Sequence, residues 1–486
     1  MDYHKLNKWD NIVKFFPYIL FTVLSIVCIN HCFFFDTIQL SSLHAFWYYD
    51  NDFQYFLLPN DLDSGHPPLN GMMLAALWKI FGKSLWVGHA FIFIWTLIMI
   101  YQLQKICLNL FSKEVAFYVS LAVLADATFL TQSVLVSPDI ILMASFFTAI
   151  RGILENRKTL LMTGILFTSL ISVRGMMCTA ALFFFYSYYQ YKSNRLSFSL
   201  KSLFSLSLPF LPGVLLAFAF LGYHYYKVGW IGYHPDMPWG DCFQKISSMK
   251  EFFINVATMG WRFFDSGRII IWLLLSYSIL LLLKKKDRKS GFSFKEIDFM
   301  ILFGILFLIS SYSFLLHTLL SASRYLFPHF ALIAIIAFLL LNKIYSAKKI
   351  RIIAVITSLV LISGNFIKYP ENISTSWDST LSHLPFYELR EQMFEYIQEE
   401  NIPFEEISSG FCFYGNQHKI DLSSPSDRVI KNLSFIDETD YFIYSNISNL
   451  RDDIIDKVKD EDAYTLIKKL EKGNIFVSLY KRNTDL

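Results

Sequence analysis

The sequence predicts a polytopic α-helical membrane protein with a small α/β domain outside the membrane. Hydrophobic residues make up 54% of the 486 residues and charged residues only 17%, whereas a soluble domain carries about 25% charge. Long apolar runs alternate with short basic loops, and the last quarter of the chain is polar. This composition excludes soluble, fibrous and disordered proteins. The net charge of +3 is too small to indicate a nucleic-acid partner.

Apolar runs predict about eleven membrane-spanning helices, since a helix needs about 20 mostly apolar residues to cross a bilayer. The fourth, fifth and sixth runs are shorter than the others. The predicted spans are 15–35, 85–104, 115–134, 138–151, 159–173, 175–190, 202–222, 269–283, 298–318, 325–343 and 350–367.

Lys and Arg residues in the loops predict the orientation of these spans, because cytoplasmic loops are enriched in both. If the helices alternate in direction, all six basic segments lie on the side of the N-terminus. The N-terminus is therefore predicted to be cytoplasmic, and an odd number of spans places the C-terminal tail outside. The basic segments are 5–14, 105–113, 151–158, 192–201, 284–289 and 343–351.

The chain is predicted to form two domains. Residues 1–370 form the transmembrane domain, which includes two large external loops, 36–84 and 223–268. Polarity rises sharply after Tyr369-Pro370, so residues 371–486 are assigned to an external domain that is placed to help select an acceptor.

The tail predicts an α/β domain because helical and strand patterns alternate within it. Residues 382–400 and 451–471 read as helices. Residues 440–445 and 474–481 read as strands.

Five polar features are predicted to meet the outer face of the membrane. Asp36 follows the first span, Asp139 opens the fourth, Arg174 lies between the fifth and sixth, and Arg324 opens the tenth. The fifth feature is the stiff turn Gly65–Leu69 in the first external loop. Burying a charge in hydrocarbon costs several kcal/mol unless the charge has a partner or a function.

Each feature also has an ordinary structural explanation. Asp139 suits a helix N-cap, and Asp36 suits a solvated loop. Arg174 and Arg324 suit anchors that reach lipid phosphates. The double proline in the turn suits a rigid connection.

Together, acids and bases at one face suit a reaction between a lipid-linked anion and an external nucleophile. A carboxylate takes the proton of an attacking hydroxyl group. Arginines hold the phosphate and neutralise the charge that develops as it leaves. The sequence contains no Walker motif and no G-x-G-x-x-G after a strand, so a nucleotide donor is not indicated.

The order of these motifs resembles that of the GT-C membrane glycosyltransferases, in the branch of protein O-mannosyltransferases and lipid A aminoarabinose transferases. The resemblance spans nearly the whole chain, and its ordered set of motifs is more specific than any one of them. The matching pieces are Asp36, Asn51-Asp52-Phe53, His66-Pro67-Pro68-Leu69, Phe81-Gly82, Ser137-Pro138-Asp139, Arg174-Gly175, Arg324-Tyr325-Leu326-Phe327-Pro328, Asp440-Tyr441-Phe442-Ile443 and Val477-Ser478-Leu479-Tyr480-Lys481.

The resemblance implies transfer of one sugar, with inversion, from a polyprenyl-phosphate donor to an acceptor hydroxyl group outside the cytoplasm. The acceptor would be a lipid, a glycan or a protein, and membrane lipids would surround the enzyme. The implied location is the bacterial inner membrane, with the site on its periplasmic face.

The resemblance also implies residue roles. Asp36 would be the general base, and Asp139 would assist near the acceptor or the lipid head. The remaining assignments fall into two groups. Arg174, Arg324, His66 and Tyr325 would bind the donor phosphate, and Asp52, Pro67 and Pro68 would support the first external loop.

The first motif departs from the family because Thr37, rather than Glu, follows Asp36. The departure weakens a transferred metal role, since hard divalent cations prefer several oxygen ligands. The sequence therefore requires no metal or other cofactor. Asp50, Asp52 and His66 are the side chains through which a divalent cation would be recruited.

Two other functions remain open. A lipid-linked glycan polymerase or ligase would also need bases at the outer face, but it would use an oligosaccharide donor. A transporter or flippase would carry ionisable residues near the middle of the membrane, in paired, interrupted helices. The sequence shows neither feature.

Overall fold

A computed structural model describes residues 8–195, 199–232, 234–237, 244–284, 294–318, 322–371 and 373–483. Parts of the predicted 223–268 loop and most of the basic run 284–289 lie outside these residues. Sixteen helices occur before the tail in this part of the chain. They are α1 Lys8–Val27, α2 His44–Asp50, α3 Leu69–Phe81, α4 Leu85–Leu110, α5 Lys113–Leu124, α6 Ala127–Gln132, α7 Pro138–Leu154, α8 Lys158–Ile171, α9 Val173–Lys192, α10 Leu200–Ser207, α11 Leu211–Val228, α12 Met249–Phe264, α13 Ile269–Lys284, α14 Phe294–Leu316, α15 Phe327–Ile344 and α16 Ala347–Ser363.

The structure confirms a polytopic helical membrane protein, and each predicted span coincides with one or two helices. By length and composition, five helices in the described part of the chain are able to cross a membrane, or up to seven if each bent pair forms one span. The prediction of eleven spans stays a prediction.

Four predicted regions differ from the structure. The run 15–35 is helical only as far as Val27. The run 115–134 breaks at Asp126, whose side chain accepts a hydrogen bond from Thr128 N and so begins α6. The run 202–222 divides into α10 and α11, which meet at 72°. The loop 223–268 contains α12, which meets α13 at 86°.

Helix α7 lies at the centre of the transmembrane domain and is buried along nearly its whole length. Its close contact with α8 depends on glycine: a Cβ atom at Gly164 would lie 2.5 Å from Ala149 N. Small residues allow such close backbone approach between membrane helices. The packing fixes the N-terminal end of α7, where Asp139 lies.

The tail forms the predicted α/β domain. Its three helices and six strands are α17 Pro385–Glu399, α18 Gln417–Ile420, α19 Asp452–Lys459, β1 Ile407–Ser409, β2 Gly415–Asn416, β3 Val429–Asn432, β4 Tyr441–Ser445, β5 Tyr464–Lys472 and β6 Ile475–Arg482. The sheet order is β2-β3-β1-β4-β6-β5, and β1 runs parallel to both β3 and β4.

One predicted tail helix is wrong in its second half. Residues 451–471 form α19 only as far as Lys459, and the chain then enters strand β5. Tyr464, Thr465 and Ile467 favour a strand, and antiparallel pairing with β6 fixes it. The three other predicted tail elements are confirmed.

The C-terminal domain, which the sequence predicts to be external, packs on the segment that follows α1. Phe34 belongs to the hydrophobic core of that domain. Phe33 N donates a hydrogen bond to Ile420 O over 2.9 Å, and Ser42 donates one of 2.5 Å to Lys419 O. The segment that carries Asp36 therefore runs beneath the external domain.

Candidate functional site

A cavity of about 710 Å³ lies between the transmembrane helices and the C-terminal domain. This volume falls within the range of small-molecule sites. Its walls come from the segment after α1, the start of α9, the end of α14, the short turn before α15, α12 and the C-terminal domain. Its polar wall contains Asp36, His66, Arg174, Arg262 and Arg324 together with Tyr325 and Asp378.

Asp36 is presented by a tight, strained turn. Phe35 has a φ of 51°, a left-handed conformation that is uncommon for a bulky residue. Thr37 holds this turn, because its hydroxyl oxygen accepts a hydrogen bond from Phe34 N and donates one to Phe34 O. The Asp36 side chain remains 20% exposed and lines the cavity.

Arg324 is the centre of the polar cluster. It lies in a short 3₁₀ turn before α15 and is only 4% exposed. Its guanidinium forms ion pairs with Asp36 and, over 3.1 Å, with Asp139. Its Nε atom also lies 2.5 Å from an oxygen of Asp378.

Asp139 joins the two arginines. It opens α7 after Pro138, and its backbone N donates to the Ser137 side chain. One carboxylate oxygen lies 2.8 Å from Arg174, and the other lies 3.1 Å from Arg324. Its side chain is 2% exposed, so both oxygens serve to hold the arginines.

Arg174 lies in the first turn of α9. A Cβ atom at the next residue, Gly175, would fall 1.9 Å from Thr168 O, so glycine permits this helix to pack closely on α8. Arg174 donates a 3.3 Å hydrogen bond to Arg324 O. Its guanidinium lies 4.6 Å from the centre of the Tyr325 ring, a cation–π contact.

His66 enters the cavity wall from the first external loop. Burial, together with Arg174 and His44, lowers the pKa of His66 to about 3. The imidazole is therefore neutral at neutral pH. Its Nδ1 atom is buried and has no hydrogen-bond partner within the described part of the chain, so it is available to a ligand.

The loop carrying His66 is fixed by an acid that the sequence analysis did not single out. Asp63 accepts a 2.7 Å hydrogen bond from Gly65 N and lies 2.9 Å from His224 of α11. Gly65 has a φ of 69°, and a Cβ atom there would lie 3.2 Å from Gly232 Cα. The Asp63–His224 pair thus ties the loop to α11.

The three loop residues predicted as supports lie in different surroundings. Pro67 and Pro68 are buried, and α3 begins directly after them. Asp52 does not line the cavity. It forms an exposed ion pair of 2.5 Å with Lys79, which connects the end of α2 to α3.

Asp378 is the cavity acid that the sequence analysis missed. It lies in the tail, 54 positions after Arg324, in a segment without a recognised motif. Its proximity to Arg324 depends entirely on how the external domain packs. The available signal was an acid shortly after the last span, a feature that Asp378 shares with Glu371.

The residues named for a divalent cation do not converge. Asp50 lies 3.9 Å from Lys83, and Asp52 pairs with Lys79. Across the described residues, no group of three or more His, Cys, Asp or Glu side chains is arranged to hold a metal ion.

Comparison with protein families confirms the resemblance over part of the chain. A family model described as dolichyl-phosphate-mannose-protein mannosyltransferase matches residues 65–225. The matched segment contains His66, Asp139 and Arg174, whereas Asp36 and Arg324 lie outside it.

Two solved structures resemble the chain along its length. Against ArnT from Cupriavidus metallidurans bound to undecaprenyl phosphate, identity is 10%, the TM-score is 0.49, and coverage is 96% of this chain and 98% of the other. Against the same protein in the apo state, identity is 10%, the TM-score is 0.48, and coverage is 95% and 97%. No curated protein matches the chain.

Proposed function

We propose that this integral membrane protein is a glycosyltransferase that uses a polyprenyl-phosphate-linked sugar. The family match over residues 65–225 supports this class of donor. The observation that carries the proposal is the meeting of Asp36, Arg174 and Arg324 at one cavity. One carboxylate and two guanidiniums, from three segments that are far apart in the sequence, therefore line the same cavity.

In the proposed reaction, Asp36 is the general base. The acceptor hydroxyl oxygen attacks the anomeric carbon while the Asp36 carboxylate takes its proton. The bond between that carbon and the phosphate oxygen breaks, and the polyprenyl phosphate leaves with the electron pair. A single displacement of this kind inverts the anomeric centre.

Arg174 and Arg324 are proposed to hold the leaving phosphate. Their guanidiniums are pre-positioned by Asp139, so little reorganisation is needed as negative charge grows. Asp139 accordingly acts as a positioning residue rather than as a second base, since both of its oxygens are engaged. Tyr325 keeps the Arg174 guanidinium in place through its ring.

His66 is proposed to contact the donor phosphate as a neutral hydrogen-bond donor. Because its pKa is lowered, His66 carries no positive charge in the site. It therefore orients the phosphate through a hydrogen bond and adds no charge–charge attraction. The apolar part of the wall, which includes Met177, Phe314 and Leu326, suits the start of a prenyl chain.

The acceptor is proposed to approach from the external side, past Phe411, Tyr414 and Asn449 of the tail domain. Such an acceptor is a lipid, glycan or protein that carries a free hydroxyl group. With the N-terminus in the cytoplasm, the site faces the periplasm of a bacterial inner membrane. No divalent cation is required by this mechanism.

A transfer assay tests the proposal. Purified protein in nanodiscs is given a polyprenyl-phosphate sugar and an acceptor fraction, and mass spectrometry measures the mass gained by the acceptor. Asp36→Asn should lower transfer by about 10²- to 10⁴-fold while leaving lipid binding intact. Asp61→Asn, an exposed acid of the same loop, is the matched control and should retain wild-type transfer.

Wild-type turnover in Asp36→Asn would overturn the assignment of the base. Addition of an oligosaccharide rather than one sugar would instead identify a polymerase or ligase. Comparing envelope glycoconjugates of cells with and without the protein identifies the hexose or pentose that is transferred.

A further inference from the structure

The external domain supplies a third carboxylate to the arginine cluster. Asp378 lies in the 3₁₀ turn Trp377–Ser379, which follows the last helix of the transmembrane domain. Trp377 packs in the core of the external domain, and its Nε1 donates a 3.2 Å hydrogen bond to Asn446 O. Gln132 of α6 donates a 2.6 Å bond to Asp378 O. The turn is thus fixed to both domains.

The formal charge of the cluster opposes an anionic ligand. Three carboxylates (Asp36, Asp139 and Asp378) face the two guanidiniums of Arg174 and Arg324, and three negative charges against two positive ones leave a net charge of −1. A third guanidinium in the cavity wall, that of Arg262, is paired with Asp265 over 3.5 Å and leaves this balance unchanged. An incoming phosphate adds further negative charge. Repulsion between unit charges a few ångströms apart is substantial where water is partly excluded.

Of the three acids, Asp378 is the one that neither bridges to Arg174 nor serves as the proposed base. Asp139 holds both arginines with its two oxygens, and Asp36 is the base of the proposed function. Asp378 lies 2.5 Å from Arg324 Nε, a close ion pair. Its carboxylate also lines the cavity, where an incoming phosphate would reach the same guanidinium.

We propose that Asp378 occupies the place on Arg324 that the donor phosphate takes, and that donor binding displaces it. This inference rests on the proposed function, because it assumes that Arg324 receives a phosphate. Asp378 is then a positioning residue that keeps Arg324 oriented while the site is empty. Since Asp378 belongs to the turn that leads into the external domain, donor binding also shifts the contact between the two domains.

The test separates charge from shape at position 378. Asp378→Asn removes the charge and keeps the size, whereas Asp378→Glu keeps the charge. Asp453→Asn, which removes an exposed acid paired with Arg451 in the same domain, is the matched control. Full-length protein in nanodiscs is titrated with undecaprenyl phosphate, and thermal stability is measured with and without inorganic phosphate.

We expect Asp378→Asn to bind undecaprenyl phosphate about tenfold more tightly. KM for the donor should fall by a similar factor, with kcat within about threefold of wild type. Asp378→Glu and Asp453→Asn should bind like wild type. A purely structural role would instead weaken binding in both variants at position 378.

The inference is overturned if the wild-type protein binds undecaprenyl phosphate and Asp378→Asn binds it equally tightly or more weakly. If no form of the protein binds undecaprenyl phosphate, the proposed function fails. The inference is then tested by the thermal stabilisation that inorganic phosphate gives to each form. Stronger stabilisation of Asp378→Asn than of wild type by inorganic phosphate then supports it, and equal stabilisation overturns it.

Discussion

Two buried arginine clusters of this protein, one around Arg324 and one around Arg268, differ in their charge balance and in their access to a cavity. In the first, Arg174 and Arg324 face three acids beside a cavity of about 710 Å³. In the second, Arg268 forms a two-pronged pair with Asp126, over 2.6 and 2.9 Å. The space beside this pair measures only about 10 Å³.

The second cluster has the properties of a structural contact. Arg268 also donates a 2.6 Å hydrogen bond to Thr128 and lies 3.8 Å from the centre of the Phe330 ring. The charge of Arg268 is matched by that of Asp126, and the charge of the neighbouring Arg262 is matched by that of Asp265. No ligand-sized space adjoins the Arg268–Asp126 pair. A closed, balanced pair indicates stability, whereas an unbalanced cluster at a cavity indicates function.

Arg324→Lys should sharpen this comparison most. Lysine keeps the charge but loses the planar fork that contacts several carboxylates and a phosphate. Transfer should fall by about 10²- to 10³-fold, with the midpoint of thermal unfolding nearly unchanged. Full transfer by this variant would contradict the assignment of Arg324 to the phosphate.

Asp126→Asn should have the opposite effect: it should lower stability and leave transfer nearly unchanged. Leaving Arg268 buried without its charged partner should lower the free energy of unfolding by about 3–5 kcal/mol. Transfer per folded molecule should stay within about twofold of wild type, since the pair adjoins no ligand cavity. Denaturation in detergent checks the first value, and an assay normalised to folded protein checks the second.

His66 gives the first cluster a pH dependence of stability. Its pKa is lowered from 6.5 to about 3 in the folded protein, so between these values the unfolded chain binds more protons. Stability therefore falls as the pH drops below 6.5, by up to about 1.4 kcal/mol per pH unit for this group. His66→Gln should show a weaker loss between pH 6.5 and 5, and identical acid sensitivity would contradict a neutral, buried His66.

Asp52→Asn should have the smallest effect. The Asp52–Lys79 pair is exposed, and exposed pairs contribute about 0–1 kcal/mol. Thermal unfolding should shift only slightly, and the shift should shrink further at high salt because exposed charges are screened. A large loss of stability would assign a larger supporting role to this residue in the first external loop.

The sequence predicted those features that depend on neighbouring residues alone, such as helices and helix starts. The apolar runs predicted the helices, and Ser137-Pro138-Asp139 predicted the start of α7. Residues 464–471 were predicted to be helical because a short run of mixed apolar and charged residues fits either the helical or the strand period. Pairing with β6 makes them a strand.

The candidate site was predictable only in part. The matching positions of Asp36, Arg174 and Arg324 at span ends indicated that they share one face. The Asp63–His224 and Arg324–Asp378 contacts join segments 161 and 54 positions apart, and neither carries a local motif. Such contacts arise from the packing of whole domains, which a single sequence does not specify locally.

An experimental structure with undecaprenyl phosphate bound in nanodiscs tests the central claim most directly. The account predicts phosphate oxygens within about 3 Å of guanidinium nitrogens of Arg174 or Arg324, with Asp36 facing the same volume. Phosphate density that lies away from both arginines at saturating lipid would contradict it.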